Sequence, residues 1–259
     1  MRVGGASELV QKIAMAYLDS RPTLTTFPYL KNHCASIDPR FKPSMTIIKY
    51  WAKLNELSTQ FSVIEESTDL YISNYALEML FLFYLQQPNV YLIPPITTLK
   101  MNCRHPEFVN GWQINIDETI QHPSADNKIL IPELLWGFFK FYAEFDFEQF
   151  VICPLDGCAH SREAFQNINE LPESMNSYKE YIQNTRIAFL FDATKPLCIQ
   201  DPIVLNENCC KRVSSNFVTS FKEHADRAAS ICEIACINED HSNLLQNLFE
   251  TSYKNNDLD

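Results

Sequence analysis

The stretch Tyr75–Leu85 constrains this chain more than any other. It is eleven residues long and apolar except for Glu78. A bilayer span takes about 20 apolar residues, so this run is too short to cross one. It predicts a helix buried on most faces, from about Ile72 to Gln86. Pro88, Pro94 and Pro95 end that helix and force an extended segment. A helix buried all round needs a full shell of other elements. With 259 residues, 46% of them hydrophobic and 12% aromatic, the chain can supply one.

Two more helices read clearly. Asp38-Pro39-Arg40 carries a capping residue and a proline suited to a first turn. Met45, Ile48, Trp51 and Ala52 follow at helical spacing, so an amphipathic helix runs to about Leu57. Pro132 opens another, with Leu134, Leu135, Phe138, Phe139 and Tyr142 on one face. A last helix is expected from about Phe217 to Ile237, and a shorter one near Met175–Gln183. Short β-like runs fall at Gln113–Ile116, Phe150–Cys153 and Ile187–Phe191. Arg21–Pro28, Ser58–Asp69, Asp117–Lys128 and Cys198–Val213 read as loops or irregular chain. Ser7–Asp19 fits a helix or a strand. The fold class expected is α+β and mainly helical.

Composition narrows the chemistry. Five glycines nearly exclude a glycine-rich phosphate loop. A net charge of −11 argues against a dedicated duplex-binding surface, although a local basic groove is compatible with it. Nine cysteines, with no apolar leader over Met1–Ser7, suit a reduced, soluble protein of the cytoplasm or nucleus that does not engage membranes. Cys232 and Cys236 share a helical face, and Cys153, Cys158 and His160 are close in sequence. There is no Cys-x-x-Cys pair, so the spacing does not make a zinc site, and no serine-nucleophile motif is present.

Four segments, in order, resemble the central domain of the terminal uridylyltransferase and poly(A) polymerase-like nucleotidyltransferases. They are Ile37–Arg40 with Ile48–Lys53; Ile72–Leu77 leading into Phe83–Gln86; Leu134–Ala143 with Phe145-Asp146-Phe147; and Cys198–Ile203 with Asn208 and Val213. Gly111-Trp112 falls where that family has a similar pair. The set spans roughly Ile37 to Ile237. Shortened insect paralogues of the family offer a similar pattern.

The resemblance implies roles. Lys49 and Lys53, four apart, project from one helix face and would hold the triphosphate. By spacing alone they read rather as a solvated face beside Trp51. Tyr75 matches the tyrosine that stacks on the base, or else packs in the core. Asn74 stands where a hydroxyl residue touches phosphate or ribose. Asp201 matches the acidic residue of the base-reading loop, and Asn208 an asparagine that shapes it. Val204 replaces a glutamate found in some members. Glu207 replaces a histidine of several uridine-selective ones, so it would accept from the exocyclic amine of adenine or cytosine instead.

Family enzymes also need a palm with paired carboxylates, a third carboxylate and two divalent metals. Gly5-Ala6-Ser7 and Asp19-Ser20-Arg21 match the first elements poorly, because Arg21 occupies the place of a carboxylate. Ile13–Asp19 reads instead as the last palm strand, with Asp19 a vestige of the third carboxylate and Phe27 replacing a ribose-contacting asparagine. The expected organisation is a vestigial palm segment over 1–36, a nucleotide-binding helical domain over 37–250 and a tail over 251–259. The expected function is binding of a nucleotide, an RNA 3′ end or a protein partner without catalysis. A homodimer or partner would cover the cleft face. No cofactor is expected; Mg²⁺ or Mn²⁺ enters only with a complete palm, as in an active RNA uridylyl- or adenylyltransferase that is part of a longer chain or has its palm supplied in trans.

Overall fold

A computed structural model describes residues 22–58, 71–117, 119, 127–184 and 190–253. Ile13–Asp19, most of Ser58–Asp69 and of Asp117–Lys128, and most of Ile187–Phe191 lie outside the described residues. Helix α1 (Pro22–Ile37) is followed by α2 (Phe41–Leu54), α3 (Asn74–Leu85) and the short α4 (Ile96–Met101). A hairpin, β1 (Phe108–Val109) and β2 (Trp112–Gln113), leads to α5 (Ile131–Glu144). A second hairpin, β3 (Phe150–Cys153) and β4 (Cys158–Ser161), runs into α6 (Arg162–Gln166). Helices α7 (Asn176–Asn184), α8 (Ser215–Ile237) and α9 (Leu244–Tyr253) complete the described chain. The architecture is mainly helical with two small antiparallel sheets, as expected.

Helix α3 sits at the centre. Every residue from Ala76 to Leu85 is buried, and Ser73 caps the helix by accepting from the Ala76 N–H at 3.1 Å. The predicted face of α2 is the observed one: Phe41, Met45, Ile48, Trp51 and Ala52 are buried. Asp38 works just ahead of it. Its carboxylate accepts from the Arg40 backbone and guanidinium, and that guanidinium donates to the Ile129 carbonyl at 2.6 Å. The start of α2 is thereby tied to the entry of α5.

Helices α5 and α8 are antiparallel neighbours: Lys222, early in α8, donates to the Phe145 carbonyl at the end of α5. Alanines 225, 228, 229 and 235 keep the buried face of α8 small, which suits close approach. Gly137 in α5 is required by packing. A Cβ there would stand 2.0 Å from the Tyr84 hydroxyl of α3.

Some sequence readings are corrected. Residues 22–28 are helical, not a loop; Pro22 opens α1, and Leu30, Cys34 and Ile37 then enter the common core. The proline-rich segment contains α4, since Pro95 precedes the helix it was expected to prevent. The expected strand Gln113–Ile116 is replaced by a tight hairpin. Asn110 and Gly111 both take positive φ, 51° and 85°, as a two-residue turn requires. Strand β4 and helix α6 occupy polar sequence that gave no β signal, and α9 follows α8 where no helix was expected.

All nine cysteines are free, and most are buried. Burial pushes the thiols of Cys34 and Cys232 up to about 12 and that of Cys198 to about 11, from an ordinary 9.0. Above pH 9 the unfolded chain loses these protons while the folded chain keeps them, so stability falls as pH rises. Lys100 opposes this: burial lowers its pKa from 10.5 to about 8, so its contribution rises over that interval. Several thiols outweigh one ammonium. The urea midpoint measured under reducing conditions should therefore drop steadily between pH 8 and 10.5; a flat or rising midpoint would contradict the thiol burial.

Candidate nucleotide site

The sequence-predicted residues fall into two clusters joined at the N-terminus of α3. The first is the 200–208 loop, which lies beside β3. Ile199 bridges to Ile152 in parallel fashion, and Gln200 bridges to Asn208 in antiparallel fashion, so both ends of the 200–208 loop are fastened to the sheet. Asn208 is buried and holds the loop base. Its Oδ1 accepts from the Ile199 and Cys210 N–H groups at 3.2 and 2.8 Å, and its Nδ2 donates to the Leu197 carbonyl at 3.1 Å. The expected loop-shaping role thus has a geometry.

Asp201 organises the loop tip. Its Oδ1 accepts from the Ile203 and Val204 N–H groups at 2.8 and 2.9 Å. Its Oδ2 accepts from the Tyr75 hydroxyl at 2.7 Å. Burial raises the Asp201 carboxyl above the usual carboxylate range, while these hydrogen bonds and the nearby Lys100 ammonium act against that. Burial likewise raises the Tyr75 phenol well above its ordinary value, with the Asp201 charge next in effect. The phenol is therefore the donor. The half-buried ring of Tyr75, one residue after the exposed Asn74, is held in one orientation by the loop it faces.

Lys100 braces the same loop from α4, donating to the Pro202 carbonyl at 2.8 Å. Val204 is half-buried beside Asp201. Glu207 points to solvent and pairs with Lys211 at 3.0 Å.

The second cluster is electrostatic. Lys49 on α2 donates to Glu78 Oε1, and Lys31 on α1 approaches the same oxygen at 3.1 Å. Glu78 lies one turn beyond Tyr75 and is buried at 2% exposure. Lys53, one turn along α2 from Lys49, is exposed. The two lysines stand one turn apart on α2, and one of them is already paired with a carboxylate that it shares with Lys31.

Sequence reasoning missed Glu78, Lys31 and Lys100 as parts of the site. Glu78 had a readable signal: a lone carboxylate inside an apolar run must find a cation when buried. Lys31 and Lys100 had none, because their partners are distant in sequence. Asp19 lies outside the described residues, as does the side chain of Phe27. Among the described residues no group of three His, Cys, Asp or Glu side chains is placed to hold a metal.

Comparison with known proteins bears on the fold that holds these residues. A family model described as Cid1 family poly A polymerase matches residues 131–207, which include Asp201 and Glu207. The chain is 27% identical over 219 residues to the Speckle targeted PIP5K1A-regulated poly(A) polymerase of Xenopus tropicalis, covering 83% of this chain and 23% of that protein. It is 24% identical to the Terminal uridylyltransferase cid1 of Schizosaccharomyces pombe, over 70% of this chain and 41% of that one. A stretch of 130 residues is 35% identical to the Poly(A) RNA polymerase gld-2 homolog B of Drosophila melanogaster. Among solved structures, mtPAP in complex with UTP superposes with a TM-score of 0.60 at 20% identity, over 83% of this chain and 40% of that one. The Cid1 poly(U) polymerase superposes at 0.58. Most of the chain has the fold of the corresponding part of these solved polymerases, and residues 131–207 match the family model. The chain spans well under half the length of these curated relatives.

Replacing Asp201 by alanine leaves two amides and a phenol without their acceptor. Each such loss costs about 1–3 kcal/mol when buried, so urea unfolding of Asp201→Ala should show a loss of about 3–5 kcal/mol. A loss below ~0.5 kcal/mol would show that the loop does not depend on this carboxylate.

Proposed function

We propose that the chain binds a nucleoside triphosphate or an RNA 3′ end between α2, the N-terminus of α3 and the 200–208 loop, and that it acts by binding without catalysis of its own. Tyr75 stacks on the base, Lys53 and Lys49 meet phosphate, and Asn74 and the Asp201 loop contact the sugar and base. The observation that carries this reading is the Tyr75–Asp201 hydrogen bond, 2.7 Å long, which fixes an aromatic ring against a loop of ordered backbone. Such a site is preorganised and spends little binding energy on ordering.

The Lys49–Glu78 ion pair supports a weakened triphosphate grip. A phosphate must compete with an internal carboxylate for the same ammonium, and a buried pair is costly to break. The exposed Glu207, paired to Lys211, supports a base preference set otherwise than by a histidine. We place the protein in the cytoplasm or nucleus, with a second copy or a protein partner over the cleft face.

The names of the relatives favour a second reading, an RNA terminal nucleotidyltransferase whose palm belongs to a longer chain or arrives in trans. Incubation with RNA, UTP or ATP and Mg²⁺ or Mn²⁺ separates the two. Binding without 3′ extension supports the first reading, and extension abolished by Asp19→Ala establishes the second.

Calorimetry with UTP and ATP tests the site itself. Stacking is worth about 1–3 kcal/mol per base, so Tyr75→Ala should weaken binding about 5- to 150-fold, and Lys49→Ala more mildly. The pairing makes an opposite expectation for Glu78→Gln. It releases Lys49 and should tighten triphosphate binding several-fold while leaving affinity for the nucleoside unchanged. No measurable binding to wild type, or affinity indifferent to both Tyr75→Ala and Lys49→Ala, would remove the cleft assignment.

A further inference from the structure

A cavity of about 790 Å³ has a lining that does not include Tyr75. Its walls are α4, the β1–β2 hairpin and α7, with Leu155 and Leu205 deeper in. Phe108 and the tight Asn110-Gly111 turn are part of the hairpin wall. Hydrogen bonds hold the hairpin in place: Gln113 Nε2 donates to the Lys100 carbonyl at 3.2 Å, and Asn115 Nδ2 to the His105 carbonyl at 2.7 Å.

The lip is apolar and uncovered. Met101 is 84% exposed and Phe108 62%. One wall is aromatic: Trp112 and Tyr181 lie with ring centroids 4.5 Å apart at an interplanar angle of 36°. The lining also carries Glu173 and Glu180, both exposed, with Ser174, Asn176 and Ser177 between them in the chain. Lys100 also lines the cavity, half-buried, and donates to the Pro202 carbonyl at 2.8 Å, a bond that leaves its charge in place. The fully exposed charge on the rim is that of the two glutamates.

A cavity of this size with an apolar lip is built to be filled. Charge decides the occupant. Two carboxylates on the rim and a net charge of −11 disfavour a phosphate-bearing strand. The same carboxylates attract Lys and Arg. We propose that this cavity is a docking site for a basic peptide segment carrying one bulky apolar side chain, supplied by a protein partner. The apolar side chain enters between Met101, Phe108 and the Trp112–Tyr181 wall. Flanking cations face Glu173 and Glu180, and Asn176 and Ser177 offer hydrogen bonds to the peptide backbone. The cavity takes in Leu205 of the 200–208 loop and Lys100, which donates to that loop, but the proposal does not rest on the nucleotide reading.

The test uses the full chain and fluorescein-labelled pentapeptides in which a central tryptophan is flanked by two lysines on each side, or by two glutamates on each side. Fluorescence anisotropy should show saturable binding of the lysine peptide, at least tenfold tighter than the glutamate peptide. Phe108→Ser and Met101→Ser, both at exposed positions, should each weaken it at least fivefold without changing UTP affinity. Glu173→Lys combined with Glu180→Lys should reverse the preference between the two peptides. Equal affinity for both peptides, or lysine-peptide binding insensitive to Phe108→Ser, overturns the proposal by reducing the interaction to bulk charge. Displacement of the lysine peptide by a uridine 15-mer that itself loses affinity in Phe108→Ser overturns it in favour of RNA. Dimerisation in gel filtration that Phe108→Ser abolishes overturns it in favour of a second copy of the chain.

Discussion

The Asp201 carboxylate is the point on which the site depends. It is buried at 3% exposure and accepts from two consecutive loop amides and from the Tyr75 hydroxyl. A buried carboxylate survives only if its lone pairs are satisfied. Here the donors that satisfy it come from two parts of the chain, 126 residues apart, that together frame the proposed base position. The cost of burying the charge is offset by the same contacts that position the ring and shape the loop. Lys100 adds a nearby positive charge and a second tie to the loop through Pro202. Stability and preorganisation are thus one arrangement.

Glu78 shows the same economy on the phosphate side, with a different outcome. The apolar run that makes α3 the central helix also carries a carboxylate into the core, and Lys49 and Lys31 converge on it. This fixes α1 and α2 against α3. It also takes positive potential from the face that is proposed to meet phosphate. The exposed Lys53 keeps its position on that face. Structural need and ligand binding therefore compete for Lys49, which is the physical basis for reading the cleft as a weakened one.

Much of the fold was legible because its signals are local. The unbroken apolar run of α3, the spacing of Met45, Ile48, Trp51 and Ala52, and the aromatic face after Pro132 each describe one element, and each element formed. The start of α1 was hidden because Pro22 and its threonines suggest a loop, whereas proline is well tolerated in a first turn. Helix α4 was hidden behind Pro94 and Pro95 for the same reason. Strand β4 was invisible because its residues are half-exposed or exposed, and only pairing with β3 makes Cys158–Ser161 extended. In the site, Tyr75, Asp201 and Asn208 were found through the pattern of the family. Their mutual contacts, and those of Lys31 and Lys100, come from chain folding that no spacing encodes.

The central claim is that Tyr75 and Asp201 act as one unit joining α3 to the loop. A double-mutant cycle on Tyr75→Phe and Asp201→Asn, read by urea unfolding, measures that coupling directly. A phenol hydrogen-bonded to a buried carboxylate should give a coupling of about 1.5–3 kcal/mol. Additive effects within ~0.5 kcal/mol would mean that the ring and the loop are positioned independently, and would contradict the account.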